Sequence, residues 1–113
     1  MTNPDEQLAA AISALRADYL AEAPRRLAEL WGELTRVQNG DVAALERLGT
    51  LAHRLAGSGG AYGLPAVTDR ARAADQYCRQ LLSAGSRSAV DVTQLRTLIQ
   101  HIADAFHDAS LPE

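Results

Sequence analysis

The sequence predicts an all-α fold: a bundle of four main helices with antiparallel neighbours, plus an additional short N-terminal helix. Three observations carry that reading. Apolar residues recur at helical spacing over five stretches. No useful length alternates with the period of two that a half-buried strand requires. The stretches are joined by short turn-forming segments, which favour antiparallel neighbours. With 113 residues, 47% of them hydrophobic and 22% charged, the chain reads as one soluble domain over 1–113, with 1–4 and 109–113 as loose ends. That length buries a core without disulfide staples.

The first helix is expected from about Asp5 to Asp18, with Leu8, Ala11, Ile12 and Leu15 on one stripe and Pro4 suited to its first turn. The second covers roughly Tyr19 to Val37, with Leu20, Ala23, Leu27, Leu30, Leu34 and Val37 as its stripe. Pro24 fits the first turn of this helix, with the break just upstream. Asn39-Gly40-Asp41 is a turn signal in which Gly40 suits a left-handed helix end and Asp41 an N-cap. The third helix follows and ends near Gly63. Leu64-Pro65 opens a fourth that runs to about Ser83, with Val67, Ala71, Ala74, Cys78 and Leu81 inward. Residues Ala84 to Ser88 read as a loop. The last helix runs from about Asp91 to His107, with Val92, Leu95, Leu98, Ile99, Ile102 and Phe106 inward.

Bulk properties exclude several classes. The net charge of -3 argues against a nucleic-acid surface, which needs a basic face. All eleven basic residues are arginine, so no lysine is present to act as a Schiff-base or point-charge ligand. One cysteine, Cys78, excludes an intrachain disulfide and fits buried packing in a reducing compartment. No signal-like segment or membrane-length apolar run is seen, so the expected location is cytoplasmic, without membrane contact.

The third helix carries the chemistry. On a helical projection Ala44, Leu48, Leu51, Ala52, Leu55 and Tyr62 lie opposite His53 and form the core face. His53 then points outward. Its own-face neighbours are Glu46, Gly49, Thr50, Ala56, Gly57 and Gly60, mostly glycine or alanine. Glycine in a helix costs about 1 kcal/mol against alanine, so a shelf of them implies that something approaches closely. Gly59 falls inward and suits helix packing instead. A neutral imidazole is a good nucleophile near pH 7, and phosphoryl transfer to it needs an open, in-line approach. There is no phosphate-cradling loop of the P-loop type. His101 and His107 are too sparse for a metal set, so no metal is expected.

Ala52-His53-Arg54-Leu55-Ala56-Gly57-Ser58-Gly59-Gly60-Ala61-Tyr62-Gly63 resembles the motif of the histidine-containing phosphotransfer (HPt) domain family of bacterial phosphorelays. The similarity extends over roughly residues 15–83, including Leu20 to Leu27. It implies an up-down four-helix bundle with an extra N-terminal helix, and a monomer that does not hydrolyse ATP. It implies that His53 accepts a phosphoryl group from the aspartate of a receiver domain and passes it to another. The partners would be receiver domains of response regulators or a hybrid histidine kinase. The chain itself would need no cofactor, since magnesium is expected on the receiver.

On this reading Gly49, Thr50, Ala56, Gly57 and Gly60 provide partner docking and steric clearance. Family members often carry lysine three residues after the histidine, where this chain has Ala56; Arg54 and Arg79 are the candidates to supply the missing cation. Arg72, Asp75 and Arg79 share one edge of the fourth helix. Two other classes remain open. A histidine-kinase dimerisation domain usually places an acidic residue after its histidine, whereas Arg54 follows here. A degenerate module would bind receiver domains without transfer.

Overall fold

The computed structural model describes residues 3–85 and 89–111, and among these it is all-helical with no strand. Five helices follow in order: α1 (Pro4–Ala21), α2 (Ala23–Gln38), α3 (Val42–Ala61), α4 (Pro65–Ala84) and α5 (Ala89–Ser110). Helices α2 to α5 form a closed ring of neighbours, in which α3 touches α2 and α4, and α5 touches α4 and α2. The α3–α4 pair is the most intimate.

Local chemistry sets the boundaries. Asn3 caps α1 by accepting the Glu6 backbone N–H at 2.8 Å, and Pro4 occupies the first turn, where its missing N–H costs nothing. Pro24 has no N–H to return to the Leu20 carbonyl, so the helix breaks at Glu22 and restarts as α2. Asp41 caps α3 through the Ala43 N–H at 3.0 Å. Gly40 and Gly63 take φ of 89° and 73°, a left-handed backbone that ends one helix and turns the chain toward the next.

The expected inward stripes are largely the core. Leu30, Leu34, Leu48, Ala52, Leu55, Val67, Ala71, Cys78, Leu95, Ile99, Ile102 and Phe106 are all buried, while Leu51, Tyr62, Val92 and Leu98 are half-buried against them. Two sequence expectations need correction. The N-terminal helix is not short, since it spans 18 residues and includes Tyr19 and Leu20. Residues 3 and 4, and 109 and 110, are not loose ends: Asn3 caps α1, Pro4 opens it, and α5 runs through Ser110. The predicted loop at 84–88 lies partly outside the described residues; of those described, Ala84 still belongs to α4 and Gly85 ends it with φ 74°.

Helix α1 also behaves unlike the other four. Its residues up to Asp18 are exposed, including Leu8 (62%), Ile12 (53%) and Leu15 (54%). The molecule is 61 Å long, about twice the length of a twenty-residue helix, because α1 runs beyond the bundle. Only its last turns engage the core. The Tyr19 ring is buried, stacks on Tyr62 at 4.5 Å, and meets the Ser58 hydroxyl at 2.6 Å. The Arg26 guanidinium sits 5.1 Å from the same ring.

Candidate functional site

His53 lies in the middle of α3 with two-thirds of its side chain exposed. Its Nδ1 is 3.0 Å from Oδ2 of Asp75 on α4. A carboxylate oxygen only accepts, so the contact requires the proton on Nδ1. The Nε2 lone pair is then left free and outward, the arrangement a nucleophile needs. Asp75 is itself fixed, because its other oxygen accepts from Arg79 Nε at 3.0 Å. Arg79 Nη2 stands 3.3 Å from Nδ1, beside the ring. With Nδ1 carrying a proton toward Asp75, this guanidinium is a neighbouring charge and not the ring's donor.

The Asp75 side chain is only about one-tenth exposed, although its two partners reach solvent. Burying a carboxylate is costly unless its lone pairs are filled, and the imidazole and guanidinium fill both oxygens. Below the site the α3–α4 seam is pinned by Thr68, whose buried hydroxyl donates to the Ala56 carbonyl at 3.0 Å. Cys78 lies under Gly49 in the same seam. Burial pushes its thiol up to about 12, with the Asp75 charge adding to the effect, so this is a packing group and not a nucleophile.

The expected shelf residues separate into two kinds. Gly57 is exposed, and a Cβ built on it would meet nothing within 4 Å. Gly60 is also exposed, and a Cβ there would just reach Thr68 Oγ1 at 3.4 Å. Ala56 is half-buried, and Thr50 is exposed with its hydroxyl donating to the Glu46 carbonyl. Gly49 departs from the expectation. It is buried, and a Cβ there would stand 3.2 Å from Cys78 Cβ. Its small size serves the close approach of α4 as well as the rim of a cavity beside His53. Gly59 is inward, as its projection indicated, with Thr68 Oγ1 only 2.8 Å from a notional Cβ.

Of the two candidate arginines, Arg79 is brought to His53 and Arg54 is not. Arg54 lines a groove of about 790 Å³ between α2 and α3 that charged side chains border. That groove is bordered by the ion pairs of Arg36 and Arg47 with Glu33 and holds no imidazole. Two smaller cavities, of about 360 and 240 Å³, flank His53, and Asp75 and Arg79 line both. The sequence sets Asp75 on one edge of α4 with Arg72 and Arg79, but the motif around His53 assigns it no role. Its signal was the spacing to Arg79, which sets an acid and a base one helical turn apart on that edge.

Among the described residues, no group of three or more His, Cys, Asp and Glu could hold a metal ion. Among those residues, too, no helix is long and apolar enough to cross a membrane. Comparison with known proteins adds one finding. A family model, that of the Hpt domain, matches residues 14–105, most of the chain. No significant match to a curated protein or to a solved structure was found.

Proposed function

The chain belongs to the Hpt domain family, and we propose that within it His53 is the phosphoryl carrier between the aspartates of receiver domains. Hpt domains act in two-component phosphotransfer and interact with receiver domains; the assignment to His53 and the relay through it are our reading. The observation that carries it is the pairing of an open Nε2 with a held Nδ1.

The Nε2 lone pair attacks phosphorus of an aspartyl phosphate on the partner. The N–P bond forms, the acyl P–O bond breaks, and its electron pair leaves on the carboxylate oxygen. The ring keeps its Nδ1 proton and gains positive charge, which the Asp75 carboxylate faces at 3.0 Å. Onward transfer reverses the sequence, with neutral imidazole as the leaving group. Gly57 leaves the in-line approach clear. The receiver supplies magnesium and the activated phosphoryl group. Short connections between successive helices support an up-down bundle, and a cytoplasmic location suits these partners.

Ala56, which places no cation above the shelf, favours a second reading as a module that binds receivers without transfer. One experiment separates the two. Incubation with a phosphorylated receiver domain should deposit an acid-labile, base-stable phosphate on the protein. His53→Gln should lose the label while its far-ultraviolet circular dichroism stays helical. Label that survives this substitution contradicts the assignment, and a folded wild-type protein that binds the receiver yet takes no label supports the second reading.

A further inference from the structure

We propose that Arg72 on α4 binds the phosphoryl group carried by His53, supplying from the neighbouring helix the cation that α3 lacks at Ala56. The inference rests on the phospho-acceptor reading of His53 and deepens it. The cavity of about 360 Å³ beside the imidazole is bounded on α3 by His53, Ala56 and Gly57. On α4 it is bounded by Arg72, Gln76 and Arg79 together with Asp75. Arg72, Gln76 and Arg79 stand at positions i, i+4 and i+7, so they form one row along the helix facing this space.

The charges distinguish the two arginines. Arg79 is committed to Asp75 by a 3.0 Å hydrogen bond, and that pair is neutral as a unit. A phosphoryl group brings roughly two negative charges, by analogy with other phosphorylated side chains. Arg72 is the other cation lining the cavity. Its contact is a long 3.8 Å approach to Asp69, with both side chains more than half exposed. Such a pair is worth little and gives way at small cost. A guanidinium is suited to the new role, because its planar fork matches phosphoryl oxygens and forms charge-assisted hydrogen bonds. The small side chains of Ala56 and Gly57 leave the space into which it can swing.

The test uses phosphoramidate as the donor, so that no partner protein is involved. In this reaction Nε2–P forms, P–N breaks, and ammonia departs with the electron pair. Labelling of His53 is followed by phosphorus NMR at several salt concentrations. Arg72→Ala should slow labelling about threefold to tenfold and flatten its salt dependence, as expected for one lost charge-assisted contact. Arg72→Lys should recover part of the rate. Arg72→Ala combined with Ala56→Arg should recover most of it, because a cation returns to the same cavity from α3. Equal rates and salt profiles for wild type and Arg72→Ala would overturn the role of Arg72 while leaving His53 as acceptor. A wild-type protein that takes no label at His53 would overturn the underlying reading itself.

Discussion

Gly57 and Gly59 lie two residues apart on α3 and do opposite work. A side chain at Gly57 would meet open space beside the imidazole, whereas one at Gly59 would collide with Thr68 and Val67 of α4. Both positions pay the helical cost of glycine. At Gly59 that cost is returned as close packing of α3 on α4, which lets Thr68 reach the Ala56 carbonyl and Asp75 reach His53. At Gly57 nothing in the isolated protein returns it, and the proposed docking of a receiver domain is what would. On that proposal one face of the helix serves its own fold and the other an approaching partner.

Substitution can break this contrast. Gly59→Ala should destabilise the fold by about 1–3 kcal/mol, the usual range for overpacking, since the nearest α4 atoms include the Thr68 backbone N at 3.1 Å. Gly57→Ala should leave stability unchanged or raise it by up to about 1 kcal/mol. Urea unfolding of the two variants measures the difference; equal losses would mean that both glycines serve packing. Gly57→Leu sharpens the functional half. It should remain folded and slow transfer from a phosphorylated receiver about tenfold, because bulk beside the ring spoils the in-line approach. An unchanged rate would remove the steric account of the shelf.

The smallest effect lies away from both faces, at the start of α3. Asp41 caps that helix and accepts from Arg47 at 2.8 Å, which holds its carboxyl below the ordinary value of 3.8. A lowered folded pKa gives stability that is complete above the unfolded value and is lost as pH falls through the folded one. Asp41→Asn keeps a capping side chain but not the titration. Its melting temperature should therefore trail wild type slightly at pH 6 and converge with it in strong acid. A gap that stays constant with pH would assign the difference to capping alone.

Much of this architecture was legible in the chain. Helical spacing marked the core of α2 to α5, Asn39-Gly40-Asp41 marked a true turn and cap, and the projection of α3 turned His53 outward. The projection failed where the answer depended on a neighbour. Gly49 and Gly57 lie about 40° to either side of His53 on a 3.6-residue helix. Only one of them is covered, because α4 lies on the Gly49 side. Thr68 goes unmarked and Asp75 is given no role for the same reason: a contact across helices depends on their relative rotation and axial offset, which one helix's period does not encode. Arg54 shows the converse, sharing a motif with His53 but facing the α2 groove. In α1 the Leu8, Ile12 and Leu15 stripe is regular yet exposed, because its helix outruns the bundle that Tyr19 anchors.

The central claim is that Asp75 holds Nδ1 so that Nε2 of His53 carries the phosphoryl group. Phosphorus and nitrogen-15 NMR of the phosphorylated protein tests it directly. The account predicts a single phosphohistidine, bonded through Nε2 of His53. Phosphate on Nδ1, or on any residue other than His53, would contradict it.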